Sequence, residues 1–291
     1  MSLLRAILLG FIQGITEFLP VSSHGHLVLL QQMFMIDMDT GILFEMLLHM
    51  GSTIAIIIIF QNDFLHICSS FRQMMSDIFY NMKARIYNYF HEFETVQYQT
   101  IMSDNYRKFT GMLLTSVGSC AVVASIFREL SITIGDSLLA VGLNFLVIAV
   151  LLLVVDLWKY GTTVPKDMKF WQAALIGVAH GVGIFPGISR LGVTISICLL
   201  CGLRKKFAVR YAFLLSIPTS IGAMLLELDE FISPGMTLQL GAIYFAGMIV
   251  TLLISLLCAR FMLKLITKIR YRIFAIYSMI IGIVAIIYNF M

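Results

Sequence analysis

Residues 10–26 read Gly-Phe-Ile-Gln-Gly-Ile-Thr-Glu-Phe-Leu-Pro-Val-Ser-Ser-His-Gly-His, and the rest of the chain is read from them. An apolar N-terminal run breaks here and gathers a carboxylate (Glu17), a helix breaker (Pro20), two hydroxyls (Ser22, Ser23) and two imidazoles (His24, His26). The flanks suit a bilayer. Packing in lipid needs no such density of polar groups, so chemistry is to be sought here first.

Around this stretch the 291 residues are 59% hydrophobic and only 12% charged, with a mean hydropathy of +0.93. That balance cannot cover a soluble domain with polar side chains, and it indicates an all-α polytopic membrane protein. The net charge of +4 matters less than how Lys and Arg are distributed, and no nucleic-acid partner is expected. The five cysteines lie mostly inside apolar runs, where they act as small hydrophobes, and neither a disulfide framework nor a zinc site is expected.

A spanning helix needs about 20 mostly apolar residues, which predicts six spans at 42–60, 110–127, 137–157, 208–226, 238–258 and 273–290. Two further apolar stretches, 2–35 and 170–202, are interrupted by Pro20 and by Pro186-Gly187. Their halves are short for spanning, so each is expected to be a re-entrant helical hairpin. Residues 61–109 form one polar insertion in which Phe, Tyr and Met alternate with charges, a pattern suited to amphipathic helices on the membrane surface. With this topology 17 of the 20 basic residues fall on one side. By the positive-inside rule that side is cytoplasmic, which puts both termini and Asp37, Asp39, Glu129, Asp136, Glu227, Asp229 and Glu230 outside. The expected location is the plasma membrane.

A shift of 167 lays Gly10, Gly14, Phe18, Ser22 and Gly25 on Gly177, Gly181, Phe185, Ser189 and Gly192 without a gap. The match extends from Phe44, Leu47, Leu48, Ser52 and Ile54 to Tyr211, Leu214, Leu215, Thr219 and Ile221. The chain reads as a single integral domain, 1–291, made of two halves, about 1–127 and 137–290. Three spans separate the hairpins, so the second copy is expected to be inverted, with a site near the midplane where the half-helix N-termini meet.

Ser22 or Ser23 can cap a helix starting near His24, and Ser189 one starting at Arg190. Two helix N-termini and the guanidinium of Arg190 suit a phosphate, although Arg190 also fits as the partner of a buried carboxylate, Glu17 or Glu45. Gln13 and Glu17 share a helix face, as do Glu45 and His49. Acids converging on a phosphate would hold a divalent cation. Alternatively, Glu17 acts as general base or orients His26, and Gln13 makes an interhelical hydrogen bond. If they are helical, His24 and His26 do not share a face, and His26 is the one expected in the site.

Gln13-Gly-Ile-Thr-Glu17-Phe-Leu-Pro-Val-Ser-Ser-His-Gly-His26 and Pro186-Gly-Ile-Ser189-Arg190-Leu-Gly-Val-Thr194 resemble the two signature motifs of the undecaprenyl-pyrophosphate phosphatase family, linked with bacitracin resistance. The resemblance extends over nearly the whole chain. It implies an inverted-repeat membrane hydrolase that converts undecaprenyl (polyprenyl) pyrophosphate to the monophosphate on the outer face, recycling the carrier for cell-wall synthesis. The catalytic residues it implies are Glu17, Ser23 (nucleophile), His26 (acid/base) and Arg190. Ser22, Ser189, Arg190 and Thr194 bind substrate, and Glu17, Gln13 and Glu45 are the candidate ligands of Mg²⁺ or Ca²⁺. Gln13 stands where Glu is commoner, His24 replaces a Thr, Leu191 replaces a Ser, and the 61–109 loop is expanded. The alternative function is a flippase or transporter of an anionic polyprenyl lipid. The expected partners are the lipid substrate and membrane lipids, with a homodimer left open.

Overall fold

The computed structural model describes residues 1–34, 43–91, 95–135, 137–158, 161–226, 237–268 and 270–291. Asp37, Asp39, Asp136, Glu227, Asp229 and Glu230, assigned above to the outer side, lie outside the described residues. Eleven α-helices make up the described chain: α1 (Leu3–Thr16), α2 (Ser23–Met33), α3 (Leu43–Ile59), α4 (Gln61–Phe90), α5 (Asn105–Gly135), α6 (Leu138–Leu157), α7 (Phe170–Val182), α8 (Arg190–Leu200), α9 (Lys205–Leu226), α10 (Leu238–Lys268) and α11 (Arg272–Asn289).

Five of them, α5, α6, α9, α10 and α11, are long and apolar enough to cross a membrane. The pair α3 and α4, bent by 90° at Phe60, can supply a sixth span. The protein is therefore a multi-span membrane protein, and each expected span has its helix. Two helices overrun the expected limits. α5 and α10 are 31 residues each, about 46 Å at 1.5 Å per residue. A helix satisfies its backbone internally in water as well as in lipid, so charges such as Arg260 and Lys264 end the hydropathy signal without ending the helix.

The short helices are α1, α2, α7 and α8. α1 packs on α2 and α7 on α8, so each interrupted stretch folds back on itself. Their bounds recur at the offset of 167: Ser23–Met33 becomes Arg190–Leu200 at both ends. The caps recur too, since Ser22 Oγ accepts from Gly25 N (3.2 Å) and Ser189 Oγ from Gly192 N (3.0 Å).

The aligned glycines have a packing reason. A Cβ at Gly10 would stand 2.5 Å from Gly247 O, and one at Gly177 would stand 2.2 Å from Ser116 O. Without side chains there, α1 lies close against α10 and α7 against α5, as small residues permit between membrane helices. Hydroxyls bridge the same seams: Thr251 Oγ1 donates to Gly10 O (3.0 Å) and Ser116 Oγ to Ala173 O (2.6 Å). The largest core cluster runs from Phe18 and Val21 at the first break through α8 and α9 to Tyr271 and Phe274. Both breaks are thereby held on one packed body.

Candidate active site

Both breaks open onto one small cavity, whose polar lining includes Glu17, Ser22, Ser23 and His24 from the first and Ser189 and Arg190 from the second, with Leu19, Ile188 and Leu191 as its apolar wall. α2 begins at Ser23 and α8 at Arg190. Two helix N-termini, each carrying a partial positive charge and unbonded N–H groups, therefore converge here. The contact is backbone to backbone. A Cβ at Gly25 would lie 2.7 Å from Gly187 N, across the two breaks, while within the second break one at Gly183 would lie 2.6 Å from Arg190 Cα.

Local conformation makes the breaks. Ser22 has φ +64° and Gly187 φ +91°. Only glycine adopts such angles freely, so Ser22 sits in a conformation that costs roughly 1–3 kcal/mol and is found mostly at functional sites. The capping bond to Gly25 and the surrounding core hold it there.

On the first side, the Ser23 hydroxyl donates to Glu17 Oε2 in a short hydrogen bond. The same oxygen accepts from Gln13 Nε2 (2.9 Å) and lies 3.4 Å from His49 Nδ1, which is 2.9 Å from Gln13 Nε2. Gln13 is fully buried, and its Oε1 has no hydrogen-bond partner among the described residues. On the second side, Arg190 Nη1 donates to Ser220 Oγ (3.3 Å), and no ion pair of Arg190 exists among the described residues. Its charge is left to the cavity. A hydroxyl held by a carboxylate, set opposite a guanidinium that has no ion pair among the described residues and two helix N-termini, is an arrangement that can bind a phosphoryl group and attack it.

Other expected site residues stand elsewhere. His26 does not line the cavity. Its Nδ1 is 2.7 Å from Ser22 O, its Nε2 is 2.8 Å from Tyr277 OH, and its ring stacks on Tyr277. His24, one helical position beyond Ser23, takes the cavity wall instead. Thr194 is fully buried, donating to Arg190 O (2.6 Å) with His180 Nδ1 2.9 Å away. Glu45 is engaged through both oxygens, by His24 Nε2 (3.1 Å) and Gln31 Nε2 (3.0 Å). Sharing a helix face did not bring Glu45 and His49 to one target: His49 turns to Gln13 and Glu17, Glu45 to α2. Among the described residues no three His, Cys, Asp or Glu side chains gather as a metal cluster.

Ser220 and Tyr277 were not singled out by sequence. Ser220 carried a weak signal, because it follows Thr219 at the end of the aligned run. Tyr277 carried none, being one aromatic among many in an apolar span.

Comparison with known proteins follows the same lines. The profile of the bacitracin resistance protein BacA family matches residues 6–284. The chain belongs to that family. Relatives similar along their whole length include the undecaprenyl-diphosphatase of Methanosphaera stadtmanae, 33% identical over 288 residues that cover 99% of this chain and 98% of the relative. The undecaprenyl-diphosphatase 1 of Shouchella clausii is 31% identical over 291 residues, covering 99% and 97%. That of Halothermothrix orenii is 32% identical over 287 residues, covering 99% and 98%. In this BacA-family chain Glu17, Ser23 and Arg190 line one cavity together with His24 and Leu191.

Proposed function

We propose that this chain hydrolyses undecaprenyl pyrophosphate to the monophosphate and inorganic phosphate, with the cavity between the two hairpins as the active site. Family membership supports the substrate and reaction. The observation that carries the site is the meeting of Glu17 and Ser23 with Arg190 across the two breaks.

Arg190 and the N-termini of α2 and α8 bind the terminal phosphate and stabilise the charge that builds on its oxygens. Glu17 takes the proton of Ser23 as Ser23 Oγ bonds to the terminal phosphorus, and the anhydride bond breaks to release undecaprenyl phosphate. Water then attacks the phosphoserine and Glu17 returns the proton to Ser23 Oγ, releasing phosphate. Glu17 and the unpartnered Gln13 Oε1 fit a hard divalent cation as oxygen donors. With so few protein ligands, Mg²⁺, which keeps several waters and shares phosphate oxygens, suits them better than Ca²⁺. When bound it would neutralise phosphate charge. Ser22 and Ser189 shape the breaks as caps, and His26 holds α2 to α11 through Tyr277.

The one-sided distribution of basic residues supports an extracytoplasmic site and termini in the plasma membrane, and the odd number of spans between the hairpins supports reading the second as the inverted copy of the first. The test is phosphate release by purified protein from undecaprenyl pyrophosphate with Mg²⁺. Ser23→Ala should abolish both turnover and the ³²P-labelled phosphoserine trapped from a labelled substrate. Turnover kept in Ser23→Ala would transfer the attack to water. No release by the wild-type protein, or lipid transfer between leaflets without hydrolysis, would overturn the enzyme reading.

A further inference from the structure

α4 reverses the arrangement of an ordinary surface helix, because its polar side faces the protein. Asn81 donates to Gln99 O (2.8 Å) and accepts from Gln99 N (2.7 Å). Asn88 does the same with Val96, at 2.9 and 2.7 Å, and Arg107 pairs with Asp77 at 2.5 Å. The chain's own return segment thus covers that side. On the opposite side Leu65, Met75, Phe79, Met82, Ile86 and Phe90 recur at spacings that form one stripe of an α-helix. Phe79 and Ile86 are each 61% exposed and Met82 58%. Exposed apolar residues are ordinary when single, but a continuous stripe of them marks a surface that meets something apolar.

Two observations give the stripe its direction and its partner. α4 leaves α3 at 90°, so where α3 follows the membrane normal α4 runs along the membrane surface. Phe64, on the same face and one heptad before Phe71, packs against the main core with Phe60 and Ile67. The face therefore starts on the membrane-embedded body and continues past its edge, where the neighbour of that body is the bilayer. Arg72 stands within the stripe, Lys83 at one edge with its ammonium 5.1 Å over the Phe79 ring, and Arg85 beyond the other edge; all three are exposed.

We propose that α4 lies in the membrane interface, its apolar stripe inserted among acyl chains and Arg72, Lys83 and Arg85 set against anionic headgroups. This is a lipid-binding surface separate from the cavity at the two breaks. Basic residues beside an apolar helix face hold it on an anionic leaflet, and a helix lying in the interface in this way anchors without spanning.

The experiment uses the full chain in vesicles of phosphatidylcholine and phosphatidylglycerol, with Trp158 and Trp171 replaced by Phe and one reporter introduced as Phe79→Trp. Ile86→Trp serves as a second reporter should the first variant fail to fold. The expected result is blue-shifted emission that loses most of its intensity with lipids brominated high on the acyl chain. Quenching should be stronger with brominated phosphatidylglycerol than with brominated phosphatidylcholine, and that preference should vanish in Arg72→Gln/Lys83→Gln/Arg85→Gln. Blue emission without lipid quenching would mean that a second copy of the chain covers the stripe, and it overturns the proposal. Red emission quenched by iodide would place the stripe in water, with the same consequence. Equal quenching by both lipids would overturn the headgroup assignment.

Discussion

Gly25→Ala tests the contact on which the active site rests. A Cβ at Gly25 would stand 2.7 Å from Gly187 N, 2.7 Å from Phe145 Cζ and 2.8 Å from Gly187 Cα, where ordinary contact begins near 3.4 Å. Something must therefore move by about 0.7 Å, because repulsion rises steeply inside contact distance. Turning the Phe145 ring does not move its Cζ, which lies on the rotation axis, the side chain is fully buried, and the Gly187 backbone is fixed. Its φ is +91°, its own Cα side faces Val141 O, and the neighbouring Pro186 O accepts from Asn144 Nδ2 at 2.8 Å. The displacement falls on α2 and carries Ser23 and His24 away from Arg190. Overpacking of this kind costs about 1–3 kcal/mol of stability, and a misplacement approaching 1 Å costs up to about 100-fold in rate. The expected fall in kcat/KM is roughly 10- to 100-fold, or about 1.4–2.7 kcal/mol of transition-state binding. The assay is phosphate release from undecaprenyl pyrophosphate, with melting temperature measured in parallel. Gly118→Ala is the control, since its Cβ meets nothing within 4 Å and Ala is the better helix former by up to about 1 kcal/mol. Were Gly25→Ala to match Gly118→Ala in both rate and melting, the close approach of the two breaks would not be what assembles the site.

Arg190→Lys should lower kcat/KM by at least about 100-fold, because a point charge replaces a planar fork that grips two phosphate oxygens; near-normal turnover would make Arg190 structural. Gln13→Glu adds a carboxylate beside Glu17, and the Mg²⁺ concentration for half-maximal activity should fall about 10-fold or more. An unchanged Mg²⁺ requirement would remove position 13 from the metal site. Tyr277→Phe deletes the partner of buried His26 and should lower stability by about 1–3 kcal/mol with turnover reduced less than in Ser23→Ala. Loss of turnover equal to Ser23→Ala with unchanged melting would instead put the His26–Tyr277 pair in the reaction.

Much of this protein follows from sequence alone, for reasons that are local. Hydropathy and length place the spans because lipid admits few charged residues and a helix must cross a fixed thickness. Pro20 and Pro186-Gly187 place the breaks because proline removes a backbone donor. The serine caps and the offset of 167 are likewise chain-local: they located the second helix start to the residue, Ser189 before Arg190, and the first to within one, since the cap is Ser22 and α2 starts at Ser23 rather than at His24.

What sequence left open was decided by packing between distant segments. Sequence expected His26 in the site, but which imidazole faces the cavity depends on how α2 is rolled, and Tyr277 and Phe145, more than a hundred residues away, hold His26 away from it while His24 takes the wall. Glu45 goes to His24 and Gln31 rather than toward Glu17 because α3 sets it against α2. Residues 10–26 dictated a broken helix and its reactive groups, since these depend on the backbone and on neighbours a few positions away. That Glu17 and Ser23 should meet Arg190 was fixed only by tertiary structure, through glycines that let the two breaks touch.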